Sequence, residues 1–495
     1  MYDRFRTGGN DKMKRERQAA LLLSMCLLLG LLAGCQQGGT GDAGGSAPSQ
    51  GQTTAAVDYA NDPNWFGTDD GKTVTLNFWC GIQPEYGYQQ LVDNFNAEYA
   101  DKGVQVAYNR YSNNTDGNTQ LETYLLVNAN IDVFIGYGNR DRLYNRGEAG
   151  MLYDYSGYLD SIGFDVAKEL GENTAAEYIR EDGTIWGLPT KFDNKGWIMI
   201  NVDAFRAAGV EIPYNGWTYD EFREACRKLN EKTGTYAMCW GFDFNYASKL
   251  TYVSSVLGQN NLFTDETMTE TNLDHPVWIE GLQLIKDTMD EGWAVPLADD
   301  LAEKMTVQTA YLTGNCAMYA IYSQLRLAMD TATYPHDFVT ALVPFPVPGD
   351  EYAAYKDQAN QSYSGDFISI ASGCENKKAA CEFVRWYIEG GMNPIILAAR
   401  YPLWNGNDTQ EILEVISTHA AGTVDPESLT HLFKADRSAF TGAGYVSGHD
   451  EDIRDIIWEE WQAYLSGEIP SAEETMRLAK LRADEVIKEA GGLLA

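Results

Sequence analysis

The chain has 495 residues and is strongly acidic, with 37 Lys and Arg against 71 Asp and Glu and a net charge of −34. This charge would repel nucleic acid and excludes it as a partner, and it suits a protein that stays soluble outside a membrane. The length and the 44% hydrophobic content exclude a mainly disordered chain. The 30 Tyr and 12 Trp exceed what packing requires and are a first indication of a surface that handles planar or ring-shaped ligands.

The first 34 residues are organised as an export signal. Basic residues at positions 12, 14, 15 and 17 precede a mostly apolar run, residues 19–32, which is too short to span a membrane comfortably as a helix. The run ends in Leu32-Ala33-Gly34-Cys35, which resembles the lipobox of bacterial lipoproteins. A signal peptidase would cleave there and the Cys35 thiol would carry a diacylglycerol. The alternative is an ordinary signal peptide with a stray cysteine.

A tether follows the signal. Residues 36 to about 60 are mostly Gly, Ser, Gln, Thr and Ala with almost no large apolar side chain, a composition typical of a flexible linker. We therefore assign residues 35–69 to the lipidated cysteine and tether, and we expect the folded body to begin near residue 70. A lipid anchor would hold the protein on the outer face of the cell membrane. It also indicates a bacterium with a single membrane, where an untethered protein would be lost.

Strands and helices alternate along the body. The segment TVTLNFW, residues 73–79, has apolar residues at every second position as a strand does, and the apolar residues within 91–99 recur at helical spacing. The short apolar strands VQVAY and IDVFI follow, and helix-like sequence succeeds each of them. This alternation predicts an α/β protein with largely parallel sheets.

A second block of elements begins near residue 196 with the strand-like GWIMIN. Thr218 stands three residues before Glu221, which predicts a capping box at the start of a helix. Phe222, Cys226 and Leu229 mark the buried face of that helix. Strand-like segments recur at 315–321 and 338–343, and residues 451–495 are strongly helical.

Motifs for catalysis and for cofactors are missing from the sequence. The five histidines are too far apart for a zinc-hydrolase motif, no Gly-x-Ser-x-Gly elbow occurs, and GTDDGKT is one residue short of a phosphate-binding loop. We therefore predict no metal, no cofactor and no enzymatic activity. Beyond Cys26 and Cys35, six cysteines remain without a CxxC pair, and both buried free thiols and disulfides stay open for them.

Five segments in order resemble family 1 of the extracellular solute-binding proteins of ABC importers, the group that includes maltose-binding proteins. They are TLNFWCGIQPEYGYQQLVDNFNAEY (75–99), IDVFIGYGNRDRLYNRGEAGMLYDYSGYL (131–159), the stretch from EDGTIWGLPTKFDNKG to FREACRKL (181–229), GNCAMYAI (314–321) and DFISIASGCENKKAACEFVRWY (366–387). The resemblance covers about residues 70–490 and lies behind the lipobox.

The resemblance implies a periplasmic-binding-protein-like fold of type II, with a hinge between two α/β lobes and a solute enclosed in the cleft. Residues 70–189 and 365–400 would form the first lobe, and residues 190–364 and 401–495 the second. The protein would close over its solute and deliver it to an ABC permease, and we expect it to act as a monomer. Flat aromatic rings with Asp, Asn, Gln and Arg complement the C–H faces and hydroxyls of a sugar, so the predicted solute is an oligosaccharide.

Candidate ligand contacts follow the predicted strands, because ligands of open α/β sheets gather at the carboxyl ends of strands. In the first lobe the candidates are Trp79, Glu85, Tyr137, Asn139 and Arg140. Asp366 stands near the return crossing and Trp404 in a polar, turn-rich segment. In the second lobe they are Trp240, Asp243, Asn245, Tyr322 and Gln324. Core packing stays an equal alternative for Trp79, and a solvated loop stays open for residues 139–141.

Three alternative functions stay open. The same fold could hold a peptide, a polyamine or an organic ion instead of a sugar. A surface glycan-degrading enzyme would need two dedicated carboxylates at a fixed separation. A structural lipoprotein could keep a vestigial cleft. Thermal unfolding with candidate ligands separates these functions, since a ligand that binds the folded state raises the melting temperature.

Overall fold

The computed structural model describes residues 59–489 apart from 113–114, 128, 138–139, 195, 322–323, 357–361, 435–446 and 448. The predicted signal, Cys35 and the predicted tether up to residue 58 lie outside the described residues. The described part belongs to a single structural unit, residues 58–495. No helix within these described ranges is long and apolar enough to cross a membrane.

The strands and helices have the following bounds. The strands are β1 Val74–Cys80, β2 Val104–Arg110, β3 Val133–Gly136, β4 Leu188–Asn194, β5 Trp197–Asn201, β6 Tyr236–Cys239, β7 Cys316–Tyr319, β8 Thr340–Pro344, β9 Ser362–Ile370 and β10 Tyr401–Pro402. The helices are α1 Tyr88–Glu98, α2 Thr115–Leu126, α3 Arg140–Glu148, α4 Ser156–Ile162, α5 Val166–Leu170, α6 Glu172–Tyr178, α7 Val202–Ala208, α8 Tyr219–Thr233, α9 Phe242–Ser254, α10 Pro276–Asp290, α11 Leu297–Glu303, α12 Leu325–Met329, α13 Lys377–Trp386, α14 Thr409–His419, α15 Pro426–Lys434, α16 Asp450–Leu465 and α17 Ala472–Glu489.

The first sheet has six strands in the order β10-β4-β9-β3-β1-β2. Strand β1 pairs in parallel with β2 and with β3, as the alternation of strands and helices predicts. Strand β9 instead runs antiparallel between β3 and β4, and β10 runs antiparallel beside β4. The prediction of largely parallel sheets is therefore wrong for this sheet, because β9 returns from far along the chain and enters the middle of the sheet.

The second sheet has four strands in the order β6-β7-β5-β8, of which only β6 and β7 pair in parallel. The chain crosses from the first sheet to the second between β4 and β5, and it returns between β8 and β9. Two sheets joined by crossing segments give the predicted two-lobed α/β fold. The crossings lie near the predicted boundaries, although β4 runs to Asn194 within the first sheet and Tyr401 also pairs there.

Helices cover both sheets, and the buried apolar residues form two large cores. The first core contains Phe78 and Phe383 of the first lobe and extends to Tyr319 of β7 in the second sheet, and the second core contains Phe222 and Trp461. Helices α16 and α17 pack in the second core, whereas α14 and α15 contribute Ile412, Ile416 and Leu432 to the first. The predicted division gave all of residues 401–495 to the second lobe. In the structure β10 pairs in the first sheet, whereas Val424, just before α15, forms a bridge with Thr340 of β8 in the second sheet.

The helix start predicted at Thr218 and the buried helix face predicted after it are both present in the structure. The Thr218 hydroxyl accepts from the Glu221 amide at 3.3 Å, and the Glu221 carboxylate accepts from the Thr218 amide at 2.7 Å, which completes the capping box of α8. Phe222, Cys226 and Leu229 are buried on one face of α8. The six cysteines of the body are buried free thiols, so the disulfide alternative does not hold.

Candidate ligand-binding site

The segment that follows β1 in the first lobe contacts the segment that follows β7 in the second lobe. The short turn Pro84–Tyr86 follows β1 of the first sheet, and α12 follows β7 of the second. The guanidinium carbon of Arg326, on α12, lies 5.4 Å from the centre of the Tyr86 ring. Burial, with a smaller effect of Arg400, lowers the pKa of Arg326 to about 10. This contact brings the carboxyl ends of β1 and β7 together, which is where the sequence predicts the solute.

A buried cluster of charges lies at the crossing strands. Asp366 of β9 accepts from Arg400 Nε at 3.0 Å, and its other carboxylate oxygen lies 3.9 Å from Lys191 Nζ of β4. The Thr190 hydroxyl donates to the Asp366 carbonyl at 3.0 Å. Asp366 has a φ of 56°, in the left-handed region, where asparagine and aspartate are tolerated better than most residues. The predicted site residue Asp366 thus links β4, β9 and the segment before β10.

Tyr137 contacts the start of the loop after β1 through its hydroxyl group. Its hydroxyl accepts from the Gly81 amide at 3.1 Å and lies 3.0 Å from the Cys80 sulfur. Burial raises the pKa of Tyr137 well above its ordinary value, so the phenol stays protonated. In this conformation the hydroxyl orders the carboxyl end of β1.

The other first-lobe candidates differ in their exposure. Trp79 is partly buried, and its indole donates to the Asn130 carbonyl at 3.0 Å and packs edge-on against Tyr124. This contact directs the ring toward the loop that precedes β3. Glu85 is exposed in the turn after β1, and Arg140 lies at the start of α3, 3.5 Å from Glu177. Asn139 lies outside the described residues.

In the second lobe, the candidates Asp243 and Asn245 lie in the first turn of α9, next to Tyr246. Asp243 is exposed there, and Tyr246 donates to Asp455 and stacks on Trp458 with ring centres 5.1 Å apart. Gln324 lies half-buried directly before α12. Tyr322 and the side chain of Asn245 lie outside the described part of the chain.

Trp240 lies in the core of the second lobe. It has no exposed surface, and its indole donates to the Thr288 hydroxyl at 3.1 Å. The rings of Phe222 and Phe345 each lie 6.1 Å from the Trp240 ring, measured between ring centres. A ring enclosed in this way has no face for a ligand in this conformation, so the structure favours a packing role for Trp240.

Trp404 lines a separate groove on the first lobe. The groove has a volume of about 970 Å³ and lies between α1, the end of α13 and the start of α14. The Trp404 indole donates to Glu169 at 2.8 Å, and a Cβ on Gly406 would lie 2.3 Å from the ring. After β10 the chain runs back along β4, away from the carboxyl ends of β1 and β3. The structure therefore does not bring Trp404 together with the candidates at the junction of the lobes.

Lys249 of α9 and Asp300 of α11 are both buried. Burial lowers the pKa of Lys249 to about 8 and raises the pKa of Asp300 to about 6. One oxygen of Asp300 accepts from the Phe242 amide at 2.8 Å, which holds the first turn of α9 in place. Asp300 therefore positions the helix that carries Asp243 and Tyr246.

Several residues at the junction were not among the predicted contacts. Tyr86 is next to the predicted Glu85, and a search for aromatic residues in strand-end loops would have included it. Arg142 of α3 donates to Glu451 of α16 at 2.9 Å, and it carries a signal in its local sequence, since RDR has a net positive charge within a strongly acidic chain. Lys191 and Arg400 have no such signal, because the sequence does not show that β4 and the segment before β10 are neighbours.

Known proteins share this architecture. The GacH receptor of Streptomyces glaucescens GLA.O, solved unliganded and with acarbose, is 20% identical, with a TM-score of 0.63 over 84% of this chain and 99% of its own. Lmo0181 of Listeria monocytogenes, a substrate-binding protein solved with cycloalternan, is 19% identical, with a TM-score of 0.65 over 85% and 100%. Maltose-bound MalE3 of T. maritima is 15% identical, with a TM-score of 0.64 over 84% and 100%. At these identities the likeness concerns the fold.

The search of curated proteins finds no match for this chain. The family model of bacterial extracellular solute-binding proteins, in contrast, matches residues 81–389, which is more than half of the chain. This range includes both sheets except β1 and β10, and it includes the junction of Tyr86 and Arg326. The chain belongs to the bacterial extracellular solute-binding protein family.

Proposed function

We propose that this protein binds an oligosaccharide between its two lobes and delivers it to an ABC permease, without chemical conversion. Family membership carries the first part of this proposal, since the family binds extracellular solutes. The choice of a sugar is supported by the structural neighbours, which were solved with acarbose, cycloalternan and maltose.

The chemistry of the junction fits a neutral, hydroxyl-rich ligand. At the junction, Tyr86 supplies an aromatic ring, Glu85 an exposed carboxylate and Arg326 a guanidinium beside Tyr86. Helix α9 of the second lobe carries Tyr246 and the exposed Asp243. Aromatic faces pack on the C–H faces of sugars, while carboxylates and guanidinium groups bond to paired hydroxyls. A solute that touches both lobes favours their closed arrangement by its differential affinity for it.

Binding of a glycan is expected to raise the melting temperature of residues 58–495. A ligand at 100 times its Kd stabilises the folded state by about 2.7 kcal/mol. Differential scanning fluorimetry with maltose, acarbose, cycloalternan and chitotriose tests the sugar class, and an amino-acid, dipeptide and polyamine panel is the matched comparison. A shift with the second panel alone would assign the solute to another class. Steady release of shorter glycans would indicate an enzyme.

We also propose that the receptor is a monomer anchored to the outer face of the cell membrane through a lipidated Cys35. The apolar run at 19–32 and the sequence Leu32-Ala33-Gly34-Cys35 support this proposal. Two acyl chains hold a protein on a membrane far more firmly than one. A long tether would let the receptor reach its permease while staying at the surface.

Replacing Cys35 by alanine is expected to release the protein from the membrane. Cells expressing the full chain are labelled with palmitate, and the membrane and medium are then separated. We expect labelled wild-type protein in the membrane, and unlabelled Cys35→Ala protein outside it. Cys26→Ala is the matched control, because Cys26 lies within the signal and should not carry lipid. Label on the Cys35→Ala variant would contradict the proposal.

A further inference from the structure

One ion pair connects helices that pack in different cores. Arg142 of α3 donates from Nη2 to Oε1 of Glu451, in the first turn of α16, at 2.9 Å. Helix α3 lies against the first sheet, where the guanidinium carbon of Arg146 is 6.0 Å from the centre of the Phe134 ring of β3, and α16 packs in the second core through Ile453 and Ile457. The pair therefore bridges the two lobes.

Opposite charges surround this pair on the two helices. Helix α3 carries Arg140, Arg142 and Arg146, whereas the first turn of α16 carries Asp450, Glu451 and Asp452. Carboxylates in a first turn also interact favourably with the helix dipole, so this acidic turn is stable on its own lobe. With Asp141 and Glu148 included, α3 has a net charge of +1, in a chain of net charge −34. Arg142 and Glu451 therefore attract each other across the two lobes.

The same helix face extends from the ion pair to the candidate ligand-binding helix. Glu451, Asp455 and Trp458 are spaced by four and three residues, which places them on one face of α16. Tyr246 of α9 donates to Asp455 and stacks on Trp458 with an angle of 12° between the rings. A change in how α16 meets α3 would thus reach α9, which carries Asp243 and Tyr246.

We propose that Arg142 and Glu451 are positioning residues that hold the lobes together around the solute. The pair forms when the lobes are together and is lost when they separate, so it favours the closed population and slows release of the solute. This inference rests on the proposed function, since it concerns the affinity of the same site. Because the Arg142 side chain is 25% and the Glu451 side chain 61% exposed, the expected contribution is about two- to fivefold in affinity.

The variants Glu451→Gln and Glu451→Arg, with Arg142→Glu as the partner change, test the proposal by calorimetry and stopped-flow binding. The probe is whichever of maltose, acarbose, cycloalternan and chitotriose binds the wild type most tightly. We expect Glu451→Gln to raise Kd about two- to fivefold, mainly through faster dissociation. Glu451→Arg should raise it further, and Arg142→Glu combined with Glu451→Arg should restore it. In about 1 M salt, where the Debye length is about 3 Å, the difference between wild type and Glu451→Gln should vanish.

Glu148→Gln is the matched control. Glu148 pairs with Arg180 at 2.6 Å, with side chains 61% and 31% exposed, but both residues belong to the first lobe. We expect this variant to bind as the wild type does. An unchanged Kd for Glu451→Gln, or no restoration by the double charge reversal, would overturn the proposal.

A measurement without ligand separates failure of this inference from failure of the proposed function. In small-angle X-ray scattering, Glu451→Arg should increase the radius of gyration, and the double charge reversal should return it to the wild-type value. If no glycan binds the wild type, the sugar proposal fails and scattering still decides the role of the pair. An identical radius of gyration for the wild type, Glu451→Arg and Glu148→Gln would contradict an ion pair that holds the lobes together.

Discussion

Replacing Asp366 by asparagine is expected to lower the free energy of unfolding by about 3–5 kcal/mol. The Asp366 carboxylate is the anion between Arg400, at 3.0 Å, and Lys191, at 3.9 Å. The three side chains are at most 9% exposed, so water cannot replace the lost charge. Asparagine has nearly the same volume and tolerates the left-handed backbone of this position, so neither a cavity nor strain contributes. The variant thus isolates the cost of removing the Asp366 negative charge from beside Arg400 and Lys191.

Urea denaturation of the wild type and Asp366→Asn measures this loss. Asp70→Asn is the control, because it removes a carboxylate whose pair with Lys72 is largely exposed. Exposed pairs contribute little to stability because water screens them, and we expect little change for the control. If Asp366→Asn and Asp70→Asn lose equal stability, the charge cluster at the crossing strands does not hold β4, β9 and the segment before β10 together.

The sequence predicted the features that depend on residues close together in the chain, such as single strands and helix starts. The alternation in residues 73–79 predicted β1, because a strand with one more deeply buried face needs an apolar residue at every second position. Thr218 and Glu221 predicted the start of α8, because both partners of a capping box lie within one helical turn. The type and order of many elements could be predicted in this way.

Long-range pairing could not be predicted from local sequence. Strand β9 pairs with β3 and β4, and nothing in its own residues specifies two antiparallel neighbours. The charge cluster could not be predicted for the same reason. Lys191, Asp366 and Arg400 lie far apart along the chain and meet only once β4, β9 and the segment before β10 are assembled. Trp404 was predicted from its polar surroundings, but the direction of β10 determines where its ring lies. Such placements follow from tertiary contacts.

Replacing Trp240 by alanine is expected to lower the free energy of unfolding by about 4 kcal/mol, rather than to remove a ligand contact. The ring is fully buried between residues of the second core, and truncation would leave a cavity that neighbouring rings fill only in part. The Thr288 hydroxyl would also lose the indole N–H as its donor. Trp240→Phe keeps most of the apolar volume, so we expect it to recover most of the loss.

Chemical denaturation and glycan titration of the same two variants separate the packing role of Trp240 from a binding role. A packing role requires that stability falls in the order wild type, Trp240→Phe, Trp240→Ala, while Trp240→Phe binds the glycan as the wild type does at a temperature where it is folded. A direct ligand contact would give the opposite pattern, with affinity lost and stability kept. That outcome would mean that the second core opens when the solute binds, because a ring with no exposed surface cannot otherwise reach it.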